Sequence, residues 1–140
     1  MATSFSFPIM SIVDVYDGDS FTCVVDLGFN IMRKVQVRVD GVDTPEMTGE
    51  SKVAATVVRD AVKAWLERRL PYPRLLSRSL DKYGRVLGEV VGTGTPPSDE
   101  AGQNSLYAFL MTRGLAKPYK GEAKQPWTAE ELAKIAAFKA

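Results

Sequence analysis

Two stretches near the start of the chain alternate between apolar and polar residues, and this pattern narrows the architecture most. Phe21, Cys23, Val25 and Leu27 put every second residue on one side. After a Gly28-Phe29-Asn30 turn, Val35, Val37 and Val39 do the same, with Lys34, Gln36, Arg38 and Asp40 on the opposite side. A period of two marks a half-buried strand, because successive side chains leave a strand on opposite faces. Ile9 to Val15 reads as a further strand, followed by the Asp17-Gly18 turn. Three strands joined by short turns predict a meander.

The period then changes. From Ser51 to Leu70, Ala54, Val58, Ala61, Val62, Trp65 and Leu66 fall on one helical face, and Pro71 and Pro73 end the helix. Arg74 to Leu80 and Val86 to Val91 flank Asp81-Lys82-Tyr83-Gly84, a hairpin in which Gly84 supplies a positive φ. The Gly, Pro, Ser and Thr of Gly92 to Gly102 read as a surface loop. Asn104 to Arg113 is a short helix ended by Gly114, and Thr128 with Glu131 makes a capping box for a last helix. Five strands with a helix between the third and fourth predict an α+β chain: a five-stranded OB-fold β-barrel with about three helices. At 140 residues, it fits one domain over 1–140 with a core of about 9–120.

Chemistry is bounded by what is missing. The chain has no histidine, so Ser-His-Asp and Cys-His catalysis and histidine zinc sites are excluded. Cys23 is the single cysteine, so it has no disulfide partner within the chain, and its alternating surroundings suggest a small buried side chain. A net charge of +1 does not announce a phosphate polymer as partner, so any positive site must be local. No apolar run is long enough to span a membrane, and the N-terminal residues do not read as a secretory signal.

Three charged clusters remain: Asp17-Gly18-Asp19-Ser20, Val37-Arg38-Val39 with Val42-Asp43-Thr44-Pro45-Glu46, and Asp81-Lys82-Tyr83-Gly84-Arg85. Singly, each has a bland account. Asp17 and Asp81 suit turns, Arg38 suits a surface ion pair, and Glu46 suits the first turn of a helix. Together with Arg113-Gly114-Leu115-Ala116-Lys117, they stand in an order that resembles the staphylococcal nuclease family over roughly residues 9 to 120.

That resemblance implies an OB-fold, calcium-dependent nuclease that hydrolyses phosphodiesters of DNA and RNA, endo- and exonucleolytically, leaving 3′-phosphates. It implies that Asp19, Asp43 and the Thr44 carbonyl hold calcium. Glu46 would orient or deprotonate water, and Arg38 and Arg85 would grip the phosphate. Lys82, Tyr83 and Tyr119 are the expected substrate contacts, although Pro118 shortens the spacing to Tyr119. Lys117 is a further candidate phosphate contact. The chemistry agrees, since a hard cation takes oxygen ligands and a guanidinium fork meets two phosphate oxygens at once.

Ser20 stands where the family commonly has threonine, and Met47 to Lys52 is shorter than the basic loop of many relatives. The expectation is a monomer unless it is built into a larger assembly. An intracellular enzyme, or one released by lysis and so phage-encoded for example, fits the lack of a leader. The alternative is an OB-fold module with reduced catalysis that binds nucleic acid or serves particle assembly.

Overall fold

The computed structural model describes residues 5–69, 73–92, 105–121 and 124–139. Five strands form a closed barrel: β1 (Phe5–Asp17), β2 (Ser20–Asp26), β3 (Met32–Val39), β5 (Arg74–Leu80) and β6 (Val86–Val91). The order around it is β1-β2-β3-β6-β5, and it closes where Phe5 to Pro8 of β1 pair with Arg74 to Ser77 of β5. All pairs are antiparallel except β3 with β6, which run parallel with Arg38 opposite Leu87. Two-residue strands β4 (Val42–Asp43) and β7 (Lys117–Pro118) pair outside the barrel. The helices are α1 (Lys52–Arg69), entered through a 3-10 turn at Gly49–Ser51, α2 (Leu106–Thr112) and α3 (Ala129–Ala136). This is the OB-fold that the strand pattern predicts. No helix of the described residues is long and apolar enough to cross a membrane.

The first strand begins at Phe5, earlier than the Ile9 of the sequence reading, because it serves two neighbours. Its start pairs with β5 and its remainder with β2, and three register shifts between Ile9 and Asp17 bend it from one to the other. Leu27 falls off the expected apolar face. It lies past the end of β2 and is 38% exposed, because Gly28, Phe29 and Asn30 all take positive φ and turn the chain there. Arg38 departs most from its reading as a polar-face residue. Only 8% of it is exposed, since β6 joins β3 from Val37 onward and Tyr119 lies 5.8 Å from its guanidinium carbon.

Barrel and helix share one core, in which Phe21, Cys23, Val25, Val37 and Val39 meet Val58, Val62, Trp65 and Leu66 of α1. Cys23 is fully buried, and burial pushes its thiol up to about 12. The α1 face is the one its periodicity predicts, with Ala55 added. Pro71 and most of the Gly92 to Gly102 loop, together with Asn104, lie outside the described residues. The α2 cap is Ser105, whose hydroxyl accepts from the Ala108 N–H, and α3 has its Thr128–Glu131 capping box.

One glycine fixes how the barrel meets α1. A Cβ on Gly18 would collide with Val58 Cγ1 of α1 and stand 3.0 Å from Thr44 Cγ2. Gly18→Ala should therefore destabilise the protein by about 1–3 kcal/mol, the usual cost of overpacking. A wild-type denaturation midpoint would show that this turn is not seated against the helix.

Candidate active site

Two buried carboxylates form the floor of the site. Asp17 makes the turn that delivers the first: its Oδ1 accepts from the Asp19 N–H at 3.2 Å and the Ser20 hydroxyl at 3.1 Å. Asp19 is then 6% exposed, accepting from the Thr44 N–H at 3.2 Å and facing Arg38 Nη1 at 3.4 Å. Asp43 sits on β4, 5% exposed, with Lys124 Nζ 3.4 Å from its Oδ1. The Thr44 N–H ties the Asp43-Thr44 segment to Asp19, so residues distant in sequence share one floor.

Both arginines line a cavity of about 780 Å³, together with Lys82, Tyr83 and Tyr119. The parallel register of β3 with β6 sets them side by side, since Arg38 pairs opposite Leu87 and Arg85 directly precedes β6. Each guanidinium has its own tyrosine. Arg38 lies 5.8 Å from the Tyr119 ring centre and Arg85 5.6 Å from that of Tyr83. Arg38 also donates to the Val39 carbonyl at 2.9 Å. Tyr119 belongs to this cavity despite the shortened spacing, because its N–H is bonded to the Gly41 carbonyl at 2.9 Å.

Asp81 holds Arg85 in place, a role that its reading as a turn residue missed. Its Oδ1 accepts from the N–H groups of Tyr83 and Arg85, and its Oδ2 accepts from Arg85 Nε at 2.7 Å. Desolvation pushes the Asp81 carboxyl up, but these hydrogen bonds and the guanidinium charge together hold it below the ordinary carboxylate range. Gly84, at φ 80°, lets the chain double back between them.

A second cavity of about 430 Å³ adjoins the first. Asp43, Thr44 and Glu46 line it, and so do Glu50, Lys124 and Trp127. Glu46 is exposed. It is not the only uncommitted carboxylate nearby, because Glu50 faces the same space. Lys124 lines both cavities. Nothing in the spacing of Lys124 or Glu50 marked them in sequence. Lys117 is committed elsewhere: its ammonium binds Glu131 at 2.9 Å and the Pro126 carbonyl at 3.2 Å.

The floor fits a hard cation that keeps open coordination positions. Among the described residues no group of three or more Asp, Glu, Cys or His side chains is placed to hold a metal ion. Asp19 and Asp43 are two buried oxygen donors joined through the Thr44 N–H, the donor type that a hard cation takes. Burial, assisted by the neighbouring Asp17, pushes the Asp19 carboxyl up to about 7, against the opposing pull of Arg38 and the Thr44 N–H. A buried carboxylate so poorly compensated is what a bound cation would relieve.

That shift has a testable sign. Without a cation, the folded protein keeps a proton on Asp19 between about pH 4 and 7 that the unfolded chain has lost, so stability falls as pH rises through this window. The cost is absent below it and complete above it. At pH 8 with chelator, Asp19→Asn should raise the Tm by roughly 5 °C, with little gain at pH 4. An equal gain at both pH values would mean that Asp19 carries no such burden.

A search among curated proteins found no match. Against protein-family models, residues 36–139 match the one described as Staphylococcal nuclease homologue.

Proposed function

The chain belongs to the staphylococcal nuclease homologue family, and from that premise we propose that it is a calcium-dependent nuclease hydrolysing phosphodiester bonds of DNA and RNA. The observation that carries this reading is the convergence of Arg38 and Arg85 in one cavity beside the buried carboxylates Asp19 and Asp43. Asp19, Asp43 and the Thr44 carbonyl are the residues that would hold calcium, which when bound supplies polarisation of a phosphoryl oxygen.

The side chains do the rest. Arg38 and Arg85 present planar forks to the phosphate and neutralise charge that grows on its oxygens during in-line attack. Arg85, steadied by Asp81, serves the leaving oxygen. Glu46 takes a proton from the attacking water. Lys82 adds positive charge, while Tyr83 and Tyr119 offer ring faces or hydroxyls to the flanking nucleotide. A binding or assembly module with reduced catalysis would need none of this set; burying two carboxylates and a guanidinium without using them is costly.

Digestion of single-stranded DNA, duplex DNA and RNA, with calcium or with chelator, tests the reading. Cleavage should require calcium. Magnesium, with its stricter octahedral shell, should support less turnover. Activity that survives excess chelator, or that zinc alone restores, would sink the calcium assignment.

A further inference from the structure

The turn that joins β2 to β3 carries large apolar side chains that the core leaves uncovered. We propose that this hairpin tip docks the protein on an anionic phospholipid surface, entering the surface without crossing it. The proposal goes beyond the nuclease reading and stands or falls apart from it.

The tip reads Leu27-Gly28-Phe29-Asn30-Ile31-Met32. Phe29 is 97% exposed, Ile31 and Met32 are 54% and 52% exposed, and Leu27 is exposed beside them. Apolar residues scattered singly on a surface need no account, but a group of large ones at one turn does. The turn is closed by its own hydrogen bonds. The Leu27 N–H donates to the Ile31 carbonyl at 2.8 Å, the Ile31 N–H to the Gly28 carbonyl at 2.9 Å, and the Gly28 N–H to Asp26 Oδ1 at 2.8 Å. Within it, Phe29 (φ 56°) and Asn30 (φ 64°) both take left-handed backbone. For a bulky ring that conformation is costly, so strain is spent on holding Phe29 outward.

Shape and charge select lipid as the occupant. Ile31 and Met32 are adjacent and both exposed, so apolar surface wraps both sides of the hairpin. A partner protein covers one side, whereas a fluid acyl phase surrounds whatever enters it. Arg33 and Lys34 follow immediately on β3, both exposed and on opposite faces of the strand. They make a cationic collar about 3–7 Å behind Met32. At that spacing they meet anionic headgroups while the apolar tip lies at the acyl boundary. Asp26 is the one acidic residue from Ser20 to Val39, and its carboxylate is turned onto the Gly28 N–H. A phosphate polymer, by contrast, has no use for an aliphatic tip.

Strand register keeps this tip clear of the proposed active site. Ser20 pairs with Arg38 at one end of the β2-β3 ladder and Asp26 with Met32 at the other. The two ends are about 20 Å apart at the usual rise of a strand. Arg38 lines the arginine cavity, so docking through the tip leaves that cavity uncovered.

Flotation with vesicles at about 0.1 M salt tests this, comparing mixed phosphatidylglycerol and phosphatidylcholine with phosphatidylcholine alone. The wild type should bind the mixed vesicles, and the neutral ones about 10-fold more weakly or worse, since each cation near an anionic surface contributes about 5-fold. Phe29→Ser should weaken binding to the mixed vesicles by about 10-fold or more. Arg33→Gln combined with Lys34→Gln should weaken it by a similar factor. These variants should keep the wild-type Tm and, without vesicles, the wild-type cleavage of a short oligonucleotide, so loss of docking is told apart from loss of activity. Phe29→Trp preserves an apolar tip: it should bind as the wild type does, and acyl-brominated lipid should quench the fluorescence it adds. Equal binding to both vesicle types, full binding by Phe29→Ser, or no quenching of Phe29→Trp would each overturn the proposal. A wild type that ignores the mixed vesicles overturns it too. If that protein forms a dimer in sedimentation that Phe29→Ser dissolves, the tip is instead a contact between copies.

Discussion

Arg85→Ala should lower kcat by about 10³-fold or more and leave KM much less affected, as arginines that act on transition-state charge do. The geometry gives the reason. Asp81 fixes the Arg85 guanidinium through Nε at 2.7 Å, which leaves the terminal nitrogens of the fork for the phosphate. Arg38→Lys should fail as well, because an ammonium is a point charge that cannot hold Asp19, the Val39 carbonyl and a phosphate oxygen in fixed directions. Steady-state kinetics on an oligonucleotide would decide. A variant with normal kcat and only a raised KM would demote its arginine to ground-state binding.

Glu46→Gln should reduce cleavage by roughly 10²–10⁴-fold, the usual contribution of a general base, while calcium binding persists. Glutamine keeps size and an acceptor oxygen but not basicity, so it separates proton transfer from positioning. Glu50 provides an internal control, because its carboxylate lines the same cavity. Glu50→Gln should cleave at close to the wild-type rate. The pH profile of kcat should change for the first variant alone. Were the two outcomes reversed, Glu50 would be the base; were both variants active, water ionised by the cation without protein help would be the better account.

Sequence periodicity reached far into this fold, and it failed where distant segments meet. The alternation of Phe21, Cys23, Val25 and Val37 depends on neighbours two residues away, and those four side chains are buried as the pattern predicts. The α1 face, the Gly84 turn and the Thr128–Glu131 cap are equally local, and each is found as read. Arg38 was misplaced because its burial is decided by β6 and Tyr119, which no local pattern around it reports. Lys124 was missed for the same reason: its ion pair with Asp43 joins two segments whose spacing carries no signal. Among the proposed site residues, the order of motifs brought out Arg38, Asp43, Thr44, Glu46, Arg85 and Tyr119, and the structure gathers them around adjoining cavities. The roles of Asp81 and Glu50 needed coordinates, since only geometry distinguishes a clamp from a turn or a wall from a loop.

The parallel seam between β3 and β6 has a bearing on when the proposed site becomes complete. Synthesis proceeds from the N-terminus, and a domain generally folds as a unit. The β1-β2-β3 meander carries Asp19 and Arg38. It has no second arginine in place until Arg85 has emerged and Val86 to Gly88 have docked beside Val37 to Val39. Tyr119, bonded to the Gly41 carbonyl, arrives later still. On the proposed activity, the site is complete only once these segments have met. The seam between β3 and β6 is then the contact that brings the second arginine beside the first.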